Sequence, residues 1–280
     1  MFDVAIVGAG ELGGTLASLL AGCDVARSVH LIDVKPQVAA GKALDIAQST
    51  PILGFSTSVT GSAEINAAAG AGVVVLADSA SGAEWSLDDG AALLKRLAFG
   101  ASGSVIVCAG ASHRALVEHG VRVLKFPRTR LIGSAPEALA GALRALVALE
   151  VNGSPRDVAL TVVGVPPEGA VVPWGDATIG GISASRVLDE PTRRRLAARV
   201  VPLWPPGANA LAAAAAVVLT AILGRSRRRL SVFVGPDDSH GTKARAAAQP
   251  VRLDANGIAH VERLPLTGRD QVDFDNAVLL

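Results

Sequence analysis

Gly8-Ala9-Gly10-Glu11-Leu12-Gly13 spells G-x-G-x-x-G, and Asp33 stands twenty residues beyond its last glycine. The chemistry open to such a set is the holding of a dinucleotide. Gly8 permits a tight turn, Gly10 lets a pyrophosphate approach the backbone, and Gly13 lets a helix pack closely on a strand. The N–H groups at the helix start, Glu11 and Leu12 among them, carry a partial positive charge toward the phosphates. Asp33 can accept hydrogen bonds from both ribose hydroxyls and repels a 2′-phosphate, so the expected cofactor is NAD rather than NADP. A glycine-rich turn serving packing alone is the competing reading. The context weighs against it: an apolar strand precedes the motif, a helix follows, and the acid ends the next strand.

Other chemistry is sparse. Cys23 and Cys108 are too far apart for a CxxC pair or a local metal motif, and no metal site is expected. Two thiols without a disulfide framework suit the cytoplasm. A net charge of +1 supplies no field to draw nucleic acid or a membrane surface. The basic run Arg225-Ser226-Arg227-Arg228-Arg229 reads as a solvated turn after a helix, where cations are favoured. The N-terminus lacks a basic region before its apolar run, so no signal peptide is expected. The apolar stretch Ala210–Leu223 is mostly alanine and too short to span a bilayer, and it reads as a buried helix. Half the residues are apolar and tyrosine is absent, so cores must be built from Ala, Val and Leu.

The elements that must position the motif alternate between strand and helix. Apolar runs at 4–8, 29–33, 73–77, 104–110 and 130–134 read as strands, with helical segments at 12–20, 41–49, 88–98 and 111–119. That alternation predicts an α/β fold whose N-terminal part is a doubly wound parallel sheet of the Rossmann type. The second half has a different texture. Helical stretches at 137–150, 190–201 and 208–223 accompany strands at 159–164, 231–235 and 250–254, which predicts an α+β domain. The expected division is 1–137 for the dinucleotide-binding domain and 138–280 for the second domain.

The segments DVKPQVAAGKALDIAQSTPILGF (33–55), ADSASGAEWSLDD (77–89), RLIGS (130–134), NGSPRDV (152–158), ATIGGISAS (177–185) and PVRLDANGIAHVERLPLTGRDQ (250–271) occur in one order over nearly the whole chain. Together they resemble the lactate/malate dehydrogenase family, malate dehydrogenases in particular. The resemblance implies a Rossmann domain followed by that family's α+β domain, an NAD cofactor, and a homodimer or homotetramer paired through the helix at 41–49 and parts of the second domain. Against that family the C-terminus looks short, as though the final helix were missing.

The resemblance also implies where hydride-transfer chemistry should sit. The two loop arginines fall at Ser81 and Leu87, the positioning asparagine at Ala109, the aspartate of the first helix of the second domain at Leu139, and its arginine at Ala142. The histidine that serves as acid and base falls at Pro166. Every functional group is replaced, and a register slip cannot restore six positions. Hydrogen bonds to charged groups contribute about 1.5–3 kcal/mol each, and losing a general acid/base costs about 10²–10⁴ in rate. The expectation is an NAD-binding protein of this type without ordinary malate or lactate dehydrogenase activity, acting as a sensor or partner subunit. Two alternatives stand beside it. One is an NAD-dependent oxidoreductase for an uncharged hydroxy or oxo substrate, with a site rebuilt from His113, Arg114 or Glu168. The other is a scaffold without cofactor, for which Asp78 is the argument: it stands where the family often has glycine and would repel a pyrophosphate unless its side chain turns away. Cys108 reads as an ordinary buried cysteine, and His240 as a surface residue.

Overall fold

The computed structural model describes residues 3–101, 103–237, 244–266 and 268–279. His240 lies outside them. The first half contributes the parallel strands β1 (Val4–Val7), β2 (Ser28–Ile32), β3 (Ser58–Ser62), β4 (Val73–Leu76), β5 (Val105–Cys108) and β6 (Leu131–Gly133). Helices α1 (Glu11–Gly22), α2 (Pro36–Leu53), α3 (Leu87–Gly100) and α4 (Arg114–Arg122) connect them. The strand order is β3-β2-β1-β4-β5-β6, with β1 at the reversal of winding. Every residue of β1, β4 and β5 is buried, as strands covered by helices on both faces require.

The second half is built from α5 (Ala135–Glu150), β7 (Val158–Ala159), β8 (Val163–Val165), β9 (Gly169–Val171), β10 (Thr178–Ile179), β11 (Ile182–Ser183), α6 (Ala184–Val187), α7 (Glu190–Ala197), α8 (Ala208–Ile222), β12 (Leu230–Val234), β13 (Ala247–Asp254), β14 (Gly257–Val261) and α9 (Gly268–Leu279). Strand β12 pairs antiparallel with β6, so one sheet runs from the first half into the second through β12, β13, β8 and β9. The alanine-rich α8 buries Leu211, Ala212, Ala215, Val218, Leu219 and Ile222 and packs on α1. Its small side chains let the two backbones approach closely. Among the described residues no single helix is long and apolar enough to cross a membrane.

Several expectations change in the structure. The run at 159–164 is two strands in two sheets, because Val162 donates its N–H to the Ser231 hydroxyl (2.9 Å) instead of continuing a ladder. The helix expected at 190–201 is α only to Ala197 and then tightens to a 3-10 turn through Leu203 around Pro202, a residue without a helix N–H. The missing terminal helix is present as α9, which packs on β8 and β9. Arg229 is not a solvated turn residue. It is three-quarters buried between the carboxylates of Asp176 and Glu262, the latter 3.3 Å away.

Candidate functional site

The end of β1 turns at Gly8, whose φ of +114° favours glycine. A Cβ on Gly13 would overlap the Gly8 carbonyl, so the third glycine sets the closeness of α1 to the strand. Such a turn leaves the first N–H groups of α1 without helical partners, and the chain supplies the acceptors itself. Gly8 N–H donates to the Ile32 carbonyl at 2.7 Å and Gly10 N–H to the Asp78 carbonyl at 3.0 Å. The Asp78 side chain then turns into the helix end. Its Oδ2 accepts from Leu12 N–H at 3.2 Å and its Oδ1 from Gly13 N–H at 2.9 Å. Asp78 is buried, and a Cβ on Gly10 would overlap its carboxylate. Lys42, from α2, donates to the Gly10 carbonyl. Glu11 faces outward and is exposed.

Asp33 is buried at 2 % exposure. Its Oδ2 accepts from Ala9 N–H (2.9 Å) and Ala80 N–H (2.8 Å), and its Oδ1 from Lys35 N–H (3.0 Å). The carboxylate expected to face ribose hydroxyls therefore ties the glycine turn to the loop that follows β4.

That loop closes on itself. Asp78 and Glu84 form an antiparallel bridge, Ser79 N–H donates to Ala83 at 2.9 Å, and Gly82 turns the chain at a φ of +86°. Glu84 fixes the far end by accepting from Ala111 N–H (2.7 Å), Ser112 N–H (2.8 Å) and the Ser112 hydroxyl (2.5 Å). Burial alone would raise the Glu84 pKa, but these bonds outweigh it and hold the carboxyl below the usual range. Trp85 Nε1 donates to the Val7 carbonyl at 3.4 Å. Ser86 caps α3 by accepting from Asp89 N–H at 3.1 Å.

The remaining candidates scatter. Ser81 is exposed at the tip of the loop, and Leu87 is an exposed first residue of α3. Ala109 is buried at the end of β5. Leu139 is packed with Leu143 and Val147 in the core under α5. Ala142 is half-buried one turn on, and Pro166 is buried just past β8. His113 is buried. Its Nδ1 accepts from Gly110 N–H (3.0 Å), and its Nε2 has no partner among the described residues. Burial pushes the His113 pKa down, against the pull of Glu84 and Asp78, so the ring is neutral at pH 7. Arg114 is engaged by Glu118 (3.1 Å) and the Ala246 carbonyl (3.4 Å). Glu168 is exposed. Burial raises the Cys108 thiol to about 12, which removes it as a nucleophile. Among the described residues no group of three or more His, Cys, Asp or Glu could hold a metal ion.

Sequence reasoning missed the role of Glu84 and the donor role of the Ala80 backbone. It also missed Glu137, which lies buried against Arg144 and accepts from Ser231 N–H at 2.8 Å. Nothing in the spacing of Glu84 marks it, because its partners Ala111 and Ser112 follow the neighbouring strand β5. The cluster brings together the glycine turn, Asp33, Asp78 and Glu84. As arranged it does not fit a dinucleotide diphosphate, since the amides that would hold one already hold a carboxylate that would repel it.

The family described as lactate/malate dehydrogenase, NAD binding domain, matches residues 2–84. Malate dehydrogenase of Sorangium cellulosum is 30 % identical over 96 % of this chain and 91 % of its own length. That of Thioalkalivibrio sulfidiphilus is 29 % identical over 99 % and 96 %. The solved malate dehydrogenase of Salinibacter ruber superposes with a TM-score of 0.87 at 26 % identity, covering 98 % of this chain and 93 % of that one. The lactate dehydrogenase of Cryptosporidium parvum, solved with lactic acid and nicotinamide adenine dinucleotide, shares the fold with a TM-score of 0.88 at 19 % identity over 99 % and 94 %. The fold, the glycine turn and this likeness along nearly the whole length lead to one assignment: the chain belongs to the lactate/malate dehydrogenase family.

Proposed function

We propose that this chain is a malate/lactate dehydrogenase-like protein that does not reduce 2-oxo acids and works by binding, as a partner subunit, instead of by hydride transfer. The observation that carries this reading is Pro166. It is a buried ring without a titratable proton just past β8, where the resemblance places the acid and base. Among the described residues none of the candidate side chains takes over that task. His113 is buried and neutral with Nδ1 already engaged, Arg114 is tied to Glu118, and Leu139 is a core residue. A general base must reach the proton it moves, and the unpartnered ring nitrogen of His113, Nε2, is sealed from the surface. The test is a screen of purified protein with NADH or NADPH and a panel of 2-oxo acids and uncharged oxo compounds. Turnover above about 10⁻² s⁻¹, against a typical enzyme value of about 10 s⁻¹, would end the proposal.

An NAD(H) sensor is the second reading. Gly8, Gly10, Gly13 and Asp33 favour it, and Asp33 at the ribose end would favour NAD over NADP. It requires Asp78 to leave α1. Assembly as a homodimer or homotetramer is supported by Leu44, Ile52 and Leu53, which expose 60 %, 85 % and 65 % of their surface along α2. Light scattering that found only monomer would refute that assembly. Residues 1–137 and 138–280 would be its two domains, and the free thiols favour a cytoplasmic setting.

A further inference from the structure

The loop after β4 contacts the site at the same points, and with the same chemistry, as a dinucleotide would. A diphosphate offers negatively charged oxygens to the N–H groups opening α1, and here the Asp78 carboxylate meets Leu12 and Gly13. A ribose offers a hydroxyl donor to the acid ending β2, and here Ala80 N–H meets Asp33 at 2.8 Å. The two contacts are two residues apart in one short segment and are made together. Both carboxylates are buried, Asp78 at 6 % and Asp33 at 2 % exposure, so the mimicry is not a surface coincidence. The far end of the loop is fixed by Glu84 on Ala111 and Ser112. The hairpin is therefore fastened at both of its ends.

We propose that Asp78–Ala80 is an internal ligand that substitutes for the diphosphate and ribose of a dinucleotide and keeps free NAD(H) out of the site. This deepens the binding-protein reading, on which it rests: the site retains the family's shape because the chain's own loop fills it. The segment competes as a tethered group, so its effective concentration is set by the chain and dilution does not lower it. An entering dinucleotide would see only the fraction of molecules with the loop open, and its apparent affinity would fall by that fraction. Negative charge is essential to the substitution. A glycine at 78 would free both amides and remove the repulsion in one step.

The experiment is calorimetric titration of the purified protein with NADH, in the wild type and in Asp78→Gly and Asp78→Asn. Expected is no saturation for the wild type up to millimolar NADH. Asp78→Gly should bind at least about 100-fold more tightly, the factor for a site open about 1 % of the time, with Asp78→Asn between them. Micromolar NADH binding by the wild type would overturn the proposal, and so would an Asp78→Gly protein that folds and still binds nothing. Should the variants fail to fold, amide hydrogen exchange of the wild type decides. Slow exchange at Leu12, Gly13 and Ala80 is expected, and exchange at all three on the timescale of an open loop overturns the proposal. Turnover of 2-oxo acids by the wild type would instead strike the parent reading, so the two failures are told apart.

Discussion

Replacing Asp33 with alanine should unfold this protein more readily in the absence of any cofactor. The side chain accepts three N–H bonds, from Ala9, Ala80 and Lys35, at 2 % exposure. A hydrogen bond to a charged group contributes about 1.5–3 kcal/mol, and a buried donor left unpaired loses its desolvation energy as well. Lys35 lies in an exposed turn, so water can replace the acceptor for its N–H. Ala9 is fully buried and Ala80 half-buried, and their donors have no such recourse. The expected cost of Asp33→Ala is roughly 3–5 kcal/mol, or a fall in Tm of roughly 10 °C for a chain of this size. Asp33→Asn should recover part of it, because one amide oxygen can still serve Ala9 and Ala80 while its NH₂ faces the Lys35 donor. Urea and thermal unfolding followed by circular dichroism would measure both. If the carboxylate were held in reserve for a ribose, the apo protein would hardly notice its loss. An Asp33→Ala protein melting within about 2 °C of the wild type would refute the structural role argued here.

Other outcomes follow from the same geometry. His113 has a folded pKa below its usual value, so its contribution to stability is present above about pH 6.5 and is lost as pH falls below it; His113→Gln, which can still accept from Gly110, should flatten the stability profile just below about pH 6.5, and an unchanged profile would count against the buried neutral ring. Glu84 is likewise depressed, so a second loss should set in only below about pH 4.3, and Glu84→Gln should weaken it. In native protein at pH 8, a disulfide reagent should titrate the exposed Cys23 at once and reach Cys108 only after unfolding, because the Cys108 thiol lies near 12; two fast thiols would contradict this. Glu137→Ala strands Arg144 and the Ser231 amide and should cost about 3–5 kcal/mol in urea unfolding, with Glu137→Gln milder.

Much of the first half was legible because its signals are local. Short β-branched runs ending in glycine or aspartate mark β1, β2, β4 and β5, and the G-x-G-x-x-G spacing places α1. Gly8 and Gly13 do the conformational work their positions implied. The small strands β9 to β11 carried no periodicity long enough to register, and α9 was missed because its pattern is largely polar. At the site, the sequence could mark Asp78 as an intruding charge but not which way it points. That direction depends on β4 lying beside β1, which brings residues 65 positions apart within hydrogen-bond distance. Asp33 was recognised by its spacing, while its use by Ala80 depends on how a ten-residue loop folds back, which no local pattern encodes.

Trp85 gives this loop a spectroscopic signature of its own. The chain has three tryptophans and no tyrosine, so near-ultraviolet emission comes almost wholly from indole. Trp85 sits in the loop between Glu84 and Ser86, half-buried with its ring N–H on the Val7 carbonyl, while Trp174 and Trp204 pack in the other half of the molecule. Opening of the hairpin would carry Trp85 into water and leave the other two where they are. A red shift that vanishes in Trp85→Phe would thus time the opening directly, in unlabelled protein and without any ligand.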